Sequence, residues 1–129
     1  MNDEETFECG IVLHPAGHTR SPAMHTAAYR ALGIDARYTA HDVPPEALAD
    51  AMRGFRRRRV RQLAVSIPHK EAMLALVDEV DPVARTIGAI NTVTRVGDRL
   101  VGTNTDWIGA LRALERAGPV SGRRAAVLG

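Results

Sequence analysis

Phe7-Glu8-Cys9-Gly10-Ile11-Val12-Leu13 is a mostly apolar run closed by Pro15 and Gly17, and it reads as a buried β-strand. The fold class turns on the elements next in the chain. Met24, Ala27, Ala28 and Leu32 repeat at helical spacing until Gly33 stops the helix, and Ala36 to His41 is a short second strand. Strand, helix, strand is the order that lays two strands side by side in one direction. Pro45 suits the first turn of a second helix, whose apolar face is Leu48, Ala51, Met52 and Phe55. Gln62 to Ile67 is a third strand, closed by Pro68. Met73, Leu76, Val77 and Val80 are spaced for a third helix, and Asp81-Pro82 gives an N-cap and a first-turn proline to a short fourth. Ala89 to Thr94 and Arg99 to Val101 flank Val96-Gly97-Asp98 as a hairpin. Ile108, Leu111 and Leu114 place a last helix over about 105–117, stopped by Gly118-Pro119, and Ala125 to Leu128 is one more strand. The pattern predicts an α/β fold, a mostly parallel sheet flanked by helices with an antiparallel hairpin near the end.

Composition narrows the function classes. A chain of 129 residues is long enough to bury a real core, and with two Phe, two Tyr and one Trp much of that core falls to alanine and valine. The acidic start, Asn2-Asp3-Glu4-Glu5, has no apolar run behind it long enough for a signal sequence, and no stretch approaches a membrane span. Cys9 is the only cysteine, so no internal disulfide forms and a reducing, cytoplasmic compartment is expected, with Cys9 a small apolar residue of a buried strand. The net charge is +2, but six arginines (53, 56, 57, 58, 59 and 61) crowd into nine residues. The aromatic residue among them, Phe55, is spaced as core, so base stacking is not served; cations there complement a helix C-terminus, and no nucleic-acid partner is expected. His14 and His18 sit four apart, but Pro15 and Gly17 break any helix between them and no metal is expected. His25 and His69 read as structural or hydrogen-bonding residues.

In parallel α/β sheets ligands bind beyond the carboxyl ends of the strands. The loops after the first and third strands carry Thr19-Arg20-Ser21 and Ser66-Ile67-Pro68-His69-Lys70. Gly102-Thr103-Asn104-Thr105-Asp106-Trp107-Ile108-Gly109 sets a carboxylate at a helix start, and Gly88-Ala89-Ile90-Asn91-Thr92 adds a third loop rich in small and amide residues. Each has a plain reading: Lys70 as a solvated charge, Asp106 or Thr105 as a helix cap, Asn91 as a turn residue, Thr19 and Ser21 as caps of the first helix. Together at loop mouths, a lysine and an aspartate from separate loops make a proton-handling pair for a hydroxyl or carbonyl substrate.

These residues resemble the substrate-binding half of the shikimate dehydrogenase family, whose motifs run roughly HPxxHSxSPxMHN, NVTxPxK, GAxNT and GxNTDxxG. This chain offers His14 to Thr26, Ala64 to Lys70, Gly88 to Thr92 and Gly102 to Gly109, in that order. The resemblance implies that Lys70 and Asp106 are the catalytic pair. Thr19 and Ser21 would hold a substrate carboxylate, and Ser66 and Asn91 would bind ring hydroxyls. It implies NADP as the cofactor, with the site for it on a following Rossmann domain, so that residues 1–104 are the substrate-binding domain, 105–119 a connecting helix and 120–129 the first strand of the cofactor domain. The activity implied is reduction of 3-dehydroshikimate to shikimate, or of a close analogue such as quinate or an amino analogue. This chain would supply the substrate-binding half and lack activity alone; the alternative is a non-catalytic binding module for a cyclic hydroxy acid. The partner expected is that small molecule, with neither nucleic acid nor membrane, and with the oligomeric state left open. Three positions depart from the pattern: Thr19 stands for the first serine, Ser66 for threonine, and Ala64 for an asparagine that in the family helps bind substrate hydroxyls.

Overall fold

The computed structural model describes residues 6–128; the acidic run from Asn2 to Glu5 and Gly129 lie outside them. Six strands form one sheet in the order β2-β1-β3-β5-β6-β4. In chain order these are β1 (Phe7–Leu13), β2 (Ala36–Asp42), β3 (Gln62–Val65), β4 (Glu79–Val80), β5 (Thr92–Val96) and β6 (Arg99–Thr103). Four helices accompany them: α1 (Ser21–Leu32), α2 (Leu48–Arg57), α3 (Pro82–Ile87) and α4 (Asp106–Glu115). β1 pairs in parallel with β2 and β3, and β4 with β6, while β5 runs antiparallel to both β3 and β6. The expected class therefore holds, with β5 reversed between two strands that point the same way.

Alternation along β1 and β3 divides the core. Val12, Leu63 and Val65 face Leu48, Met52 and Phe55 of α2, joined by Met73, Ile90, Val93 and Leu100. The apolar residues of α2 recur at i, i+4 and i+7, so one face of that helix is buried and its arginines stay outside. Cys9, Ile11 and Leu13 face the other way, with Tyr38, and Ala64 packs against them.

Three expectations are corrected. The Met73–Val80 pattern is no α-helix: a 3-10 turn (Ala72–Ala75) leads into β4. Tertiary bonds override the spacing there. Asp78 N–H donates to Leu100 O and Asp81 N–H to Gly102 O, while the Asp78 carboxylate takes the Leu100 N–H at 2.6 Å and the Arg56 guanidinium at 2.8 Å. Arg56 above all, with the Leu100 N–H, holds Asp78 below the ordinary carboxylate range. Next, α1 forms, but its predicted stripe faces outward, with Met24 62% and Leu32 72% exposed. The sheet-facing side is His25, stacked on Tyr38 at 4.1 Å, and Tyr29. Last, Ala125 to Leu128 form no strand; Val127 and Leu128 are 93% and 94% exposed, with no neighbouring strand among the described residues to make a ladder. β5 also starts later than expected, at Thr92, leaving Asn91 just outside it. Asp81 does cap α3, accepting from the Val83 and Ala84 N–H groups.

Gly102 is required by packing. A Cβ there would overlap the Ile90 side chain and stand 3.3 Å from Val77 Cγ2. Gly102→Ala is expected to destabilise the fold by about 1–3 kcal/mol through overpacking, read as a lower urea midpoint at unchanged slope. An unchanged midpoint would show that Ile90 yields freely.

Candidate active site

One edge of the sheet gathers the expected residues. β1 and β3 end there, β5 begins there because it is reversed, and β6 ends there, with Val12 beside Val65 and Thr92 beside Thr103. Loop backbones continue the pairing past the strands: Ser66 N–H donates to Val12 O, His14 N–H to Ile67 O, Val65 N–H to Asn91 O, and Asn91 N–H to Thr103 O. The chain after β3 turns back so that Ile90 N–H reaches Lys70 O.

At this edge Lys70 Nζ donates to Asp106 Oδ2 at 2.6 Å. Asp106 is the first residue of α4, yet none of its hydrogen bonds caps the helix: its other oxygen accepts from Asn91 Nδ2 at 2.9 Å. The Lys70 hydrogen bond above all draws the Asp106 carboxyl below its ordinary 3.8; burial opposes it, and the Asn91 hydrogen bond adds a lesser lowering. The side chains of Lys70 and Asp106 are 33% and 56% exposed. An ion pair so exposed contributes at most about 1 kcal/mol to stability. Stability is a weak reason for its presence.

Asn91 is the joint. Its Nδ2 also donates to Thr105 Oγ1 at 2.9 Å, and its Oδ1 accepts from Thr105 N–H and Thr92 Oγ1. A side-chain amide has two donors and two acceptor positions. All four are engaged within the protein.

The other expected residues lie at the same edge without touching this network. Thr19 Oγ1 accepts from Ser21 N–H at 3.3 Å, and Ser21 is the first residue of α1, whose N-cap, Arg20, makes no side-chain bond. The hydroxyls of Ser21 and Ser66 have no hydrogen-bond partner among the described residues. Beside Lys70 a cavity of about 590 Å³ opens along Ile67, Pro68, Glu71 and Ala72 toward Ala89.

Sequence reasoning expected a hydrogen-bonding role for His69 but missed Asn104 and His14 as supports. Asn104 is 7% exposed; its Nδ2 donates to Ala89 O and its Oδ1 accepts from Asp106 N–H, so Asn104 closes an Asx turn that leads into α4. An asparagine two residues before a helix start is the readable signal for that turn. His69, 1% exposed, bonds Val43 O at 2.7 Å and ties the Lys70 loop to the loop after β2. His14 Nδ1 meets Asp42 Oδ1 at 2.7 Å, and this bond first, then one from the Ala16 backbone, lowers the Asp42 carboxyl. That pair anchors the loop leading to Thr19. Among the described residues no group of three or more His, Cys, Asp or Glu could hold a metal, and no helix is long and apolar enough to cross a membrane.

The sequence profile of the shikimate dehydrogenase substrate binding domain matches residues 11–93. The chain belongs to the shikimate dehydrogenase family. It is 50% identical over 121 residues to a shikimate dehydrogenase (NADP(+)) of Symbiobacterium thermophilum, covering 93% of this chain and 41% of that relative. Among solved structures it is similar to shikimate 5-dehydrogenase of Thermus thermophilus in complex with NADP(H) and shikimate, with a TM-score of 0.79 and 43% identity, over 86% of this chain and 42% of that one. It is also similar to a ligand-free 5-ketofructose reductase of a Gluconobacter strain, with a TM-score of 0.84 and 35% identity, over 94% of this chain and 44% of that one. The chain thus spans less than half the length of these proteins.

Because Asp106 is depressed, its contribution to stability is complete above pH 3.8 and is lost as pH falls below that value. Lys70→Met is expected to return the Asp106 carboxyl toward 3.8, followed by carbon NMR of the carboxyl against pH. An Asp106 titration that Lys70→Met leaves in place would mean the pair is not formed in solution.

Proposed function

We propose that this chain is the substrate-binding half of an NADP-dependent shikimate dehydrogenase-like oxidoreductase, acting on 3-dehydroshikimate and shikimate or a close cyclic analogue. The observation that carries this reading is the Lys70–Asp106–Asn91 network at the edge where four strand ends meet. Lys70 Nζ hands a proton to the ring oxygen as a carbonyl becomes a hydroxyl, and takes it back in the reverse direction. Asp106 keeps that ammonium aimed and accepts from the same hydroxyl.

Asn91, with its amide fully engaged, acts first by holding the Asp106 carboxylate; a substrate hydroxyl reaches it by replacing the Thr105 hydroxyl. Ser21 and Thr19 receive the substrate carboxylate at the start of α1, where the positive end of the helix dipole favours an anion. Ser66 presents its free hydroxyl to the ring. Ala64, two residues before Ser66 and packed beside Ile11 and Leu13, offers a methyl group where an amide would add up to two hydrogen bonds. The 5-ketofructose reductase likeness supports a wider class of polyhydroxy ketones as the alternative substrates.

The cofactor does not fit the described residues. None of them forms the glycine-rich turn that cradles a dinucleotide pyrophosphate, so this chain's own work is placement and proton transfer. We assign residues 1–104 to substrate binding, 105–119 to a connecting helix and 120–129, whose described residues form no strand unpaired, to a segment that becomes the first strand of a cofactor domain once that domain pairs with it. In support, α4 has no buried residue and lies outside the core, and Val127 and Leu128 are bare of partners among the described residues. The second reading is a module that binds a cyclic hydroxy acid without turnover.

The test is calorimetry of this chain with shikimate, quinate and 5-ketofructose, paired with turnover of the whole protein. Shikimate is expected to bind, and the 129-residue chain alone to form no NADPH. In the whole protein Lys70→Ala is expected to cut turnover by about 10²–10⁴ with far less effect on binding. Unchanged turnover would remove Lys70 from the mechanism, and a whole protein that binds shikimate without oxidising it would establish the module instead.

A further inference from the structure

The arginine run that the catalytic reading leaves unused has a place in the fold. It lies at the opposite end of the sheet from Lys70, where α2 ends, β1 and β3 begin and β5 turns into β6. A cavity of about 520 Å³ opens there, its wall carrying Arg58, Arg59, Arg61 and Arg95 with Glu8 and Phe7. That volume falls within the roughly 300–1,000 Å³ of small-molecule sites.

Charge is unbalanced in it. Arg58 pairs with Glu8 at 2.9 Å and Arg59 with Asp98 at 3.1 Å. Arg61 and Arg95 have no carboxylate within ion-pair distance among the described residues. The Arg61 guanidinium lies over the Phe7 ring, 4.2 Å from its centroid, so its edge N–H groups remain available to a ligand. Arg95 gives Nε to Val60 O and one Nη2 bond to Arg56 O, which fixes the side chain against the end of α2. Arg95 N–H also donates to Arg61 O at 2.9 Å, setting Arg61, just before β3, opposite Arg95 on β5. Like charges so placed repel. A bound dianion would offset that repulsion.

Backbone conformation adds an independent observation. Arg59 has φ of +56°, and its N–H donates to Arg56 O while Val60 N–H donates to Phe55 O. This is the left-handed position after a helix that glycine fills most easily. An arginine stands there at a conformational cost, with its side chain on the cavity wall.

We propose that this cavity is an anion site for a phosphate-bearing small molecule, with Arg61 and Arg95 as its main donors and Arg59 at its rim. Guanidinium forks match phosphate oxygens in pairs. Phe7, the aromatic residue of this wall, already carries Arg61 on its ring, which competes with base stacking and disfavours nucleic acid. The site stands apart from the catalytic edge and does not depend on the substrate assigned there.

The test is calorimetric titration of the chain with pyrophosphate and with inorganic phosphate at physiological ionic strength, repeated on Arg61→Gln and Arg59→Gly. Pyrophosphate is expected to bind at one site per chain, more tightly than phosphate. Each substitution is expected to weaken it by about fivefold to tenfold, as loss of a charged hydrogen bond does. Arg59→Gly separates binding from structure, because glycine suits that backbone and is expected to raise Tm while lowering affinity. No binding at millimolar pyrophosphate would overturn the proposal, as would equal affinity in both variants. A single-stranded oligonucleotide that binds more tightly than pyrophosphate, and loses affinity with the same substitutions, would replace it with a nucleic-acid surface.

Discussion

Asn91 joins parts of the chain that no regular ladder could join. Its backbone carries the pairing of β5 with β3 and with β6 one step beyond the start of β5, through Val65 N–H and Thr103 O. Its amide then spans to the first turn of α4, donating to Thr105 and Asp106 and accepting from the Thr105 N–H. Without it the Lys70 loop and the start of α4 would share only the lysine–aspartate contact, an exposed ion pair that water competes for. The geometry of the proposed site thus depends on a neutral amide more than on the charges it positions. In that proposal charge supplies the chemistry and the amide supplies the aim.

The same economy holds around the edge. Polar loop backbones must find partners or solvent, and here buried side chains supply them: His69 for Val43 O, Asn104 for Ala89 O and for the Asp106 N–H. Reversal of β5 is what makes this crowding possible. Because β5 starts where β3 and β6 end, the loop bearing Asn91 arrives at the edge already occupied by Ser66 and Thr103. A wholly parallel sheet would have sent that loop to the far end.

Much of this was legible in the sequence, for identifiable reasons. β1, α1, β2 and α2 are set by local patterns with strong stops, such as Gly33 after α1 and the Leu48–Met52–Phe55 stripe. Lys70 and Asp106 are met at loop mouths as expected, and the contact between them is in place. What escaped reading was fixed by partners distant in sequence. The helical spacing of Met73 to Val80 gave way to the pairing of β4 with β6 and to Arg56 on Asp78. The outward face of α1 was decided by a histidine and two tyrosines, whose stacking no periodicity of aliphatic residues records. Asn91 read as a ligand to substrate hydroxyls, and its four protein bonds became visible only once α4 was set beside it.

The proposed reaction site and a cationic cavity thus occupy opposite ends of one sheet, the first built by neutral hydrogen bonds around a single ion pair, the second by an excess of guanidinium. The central claim is that the first of these ends receives the substrate. The most direct measurement is a crystal structure of this chain with shikimate bound. The account predicts a ring hydroxyl within about 2.6–3.2 Å of both Lys70 Nζ and the Asp106 carboxylate, with the ligand carboxylate on Thr19 and Ser21. Shikimate bound with Lys70 and Asp106 untouched, their mutual contact left as it is, would contradict it.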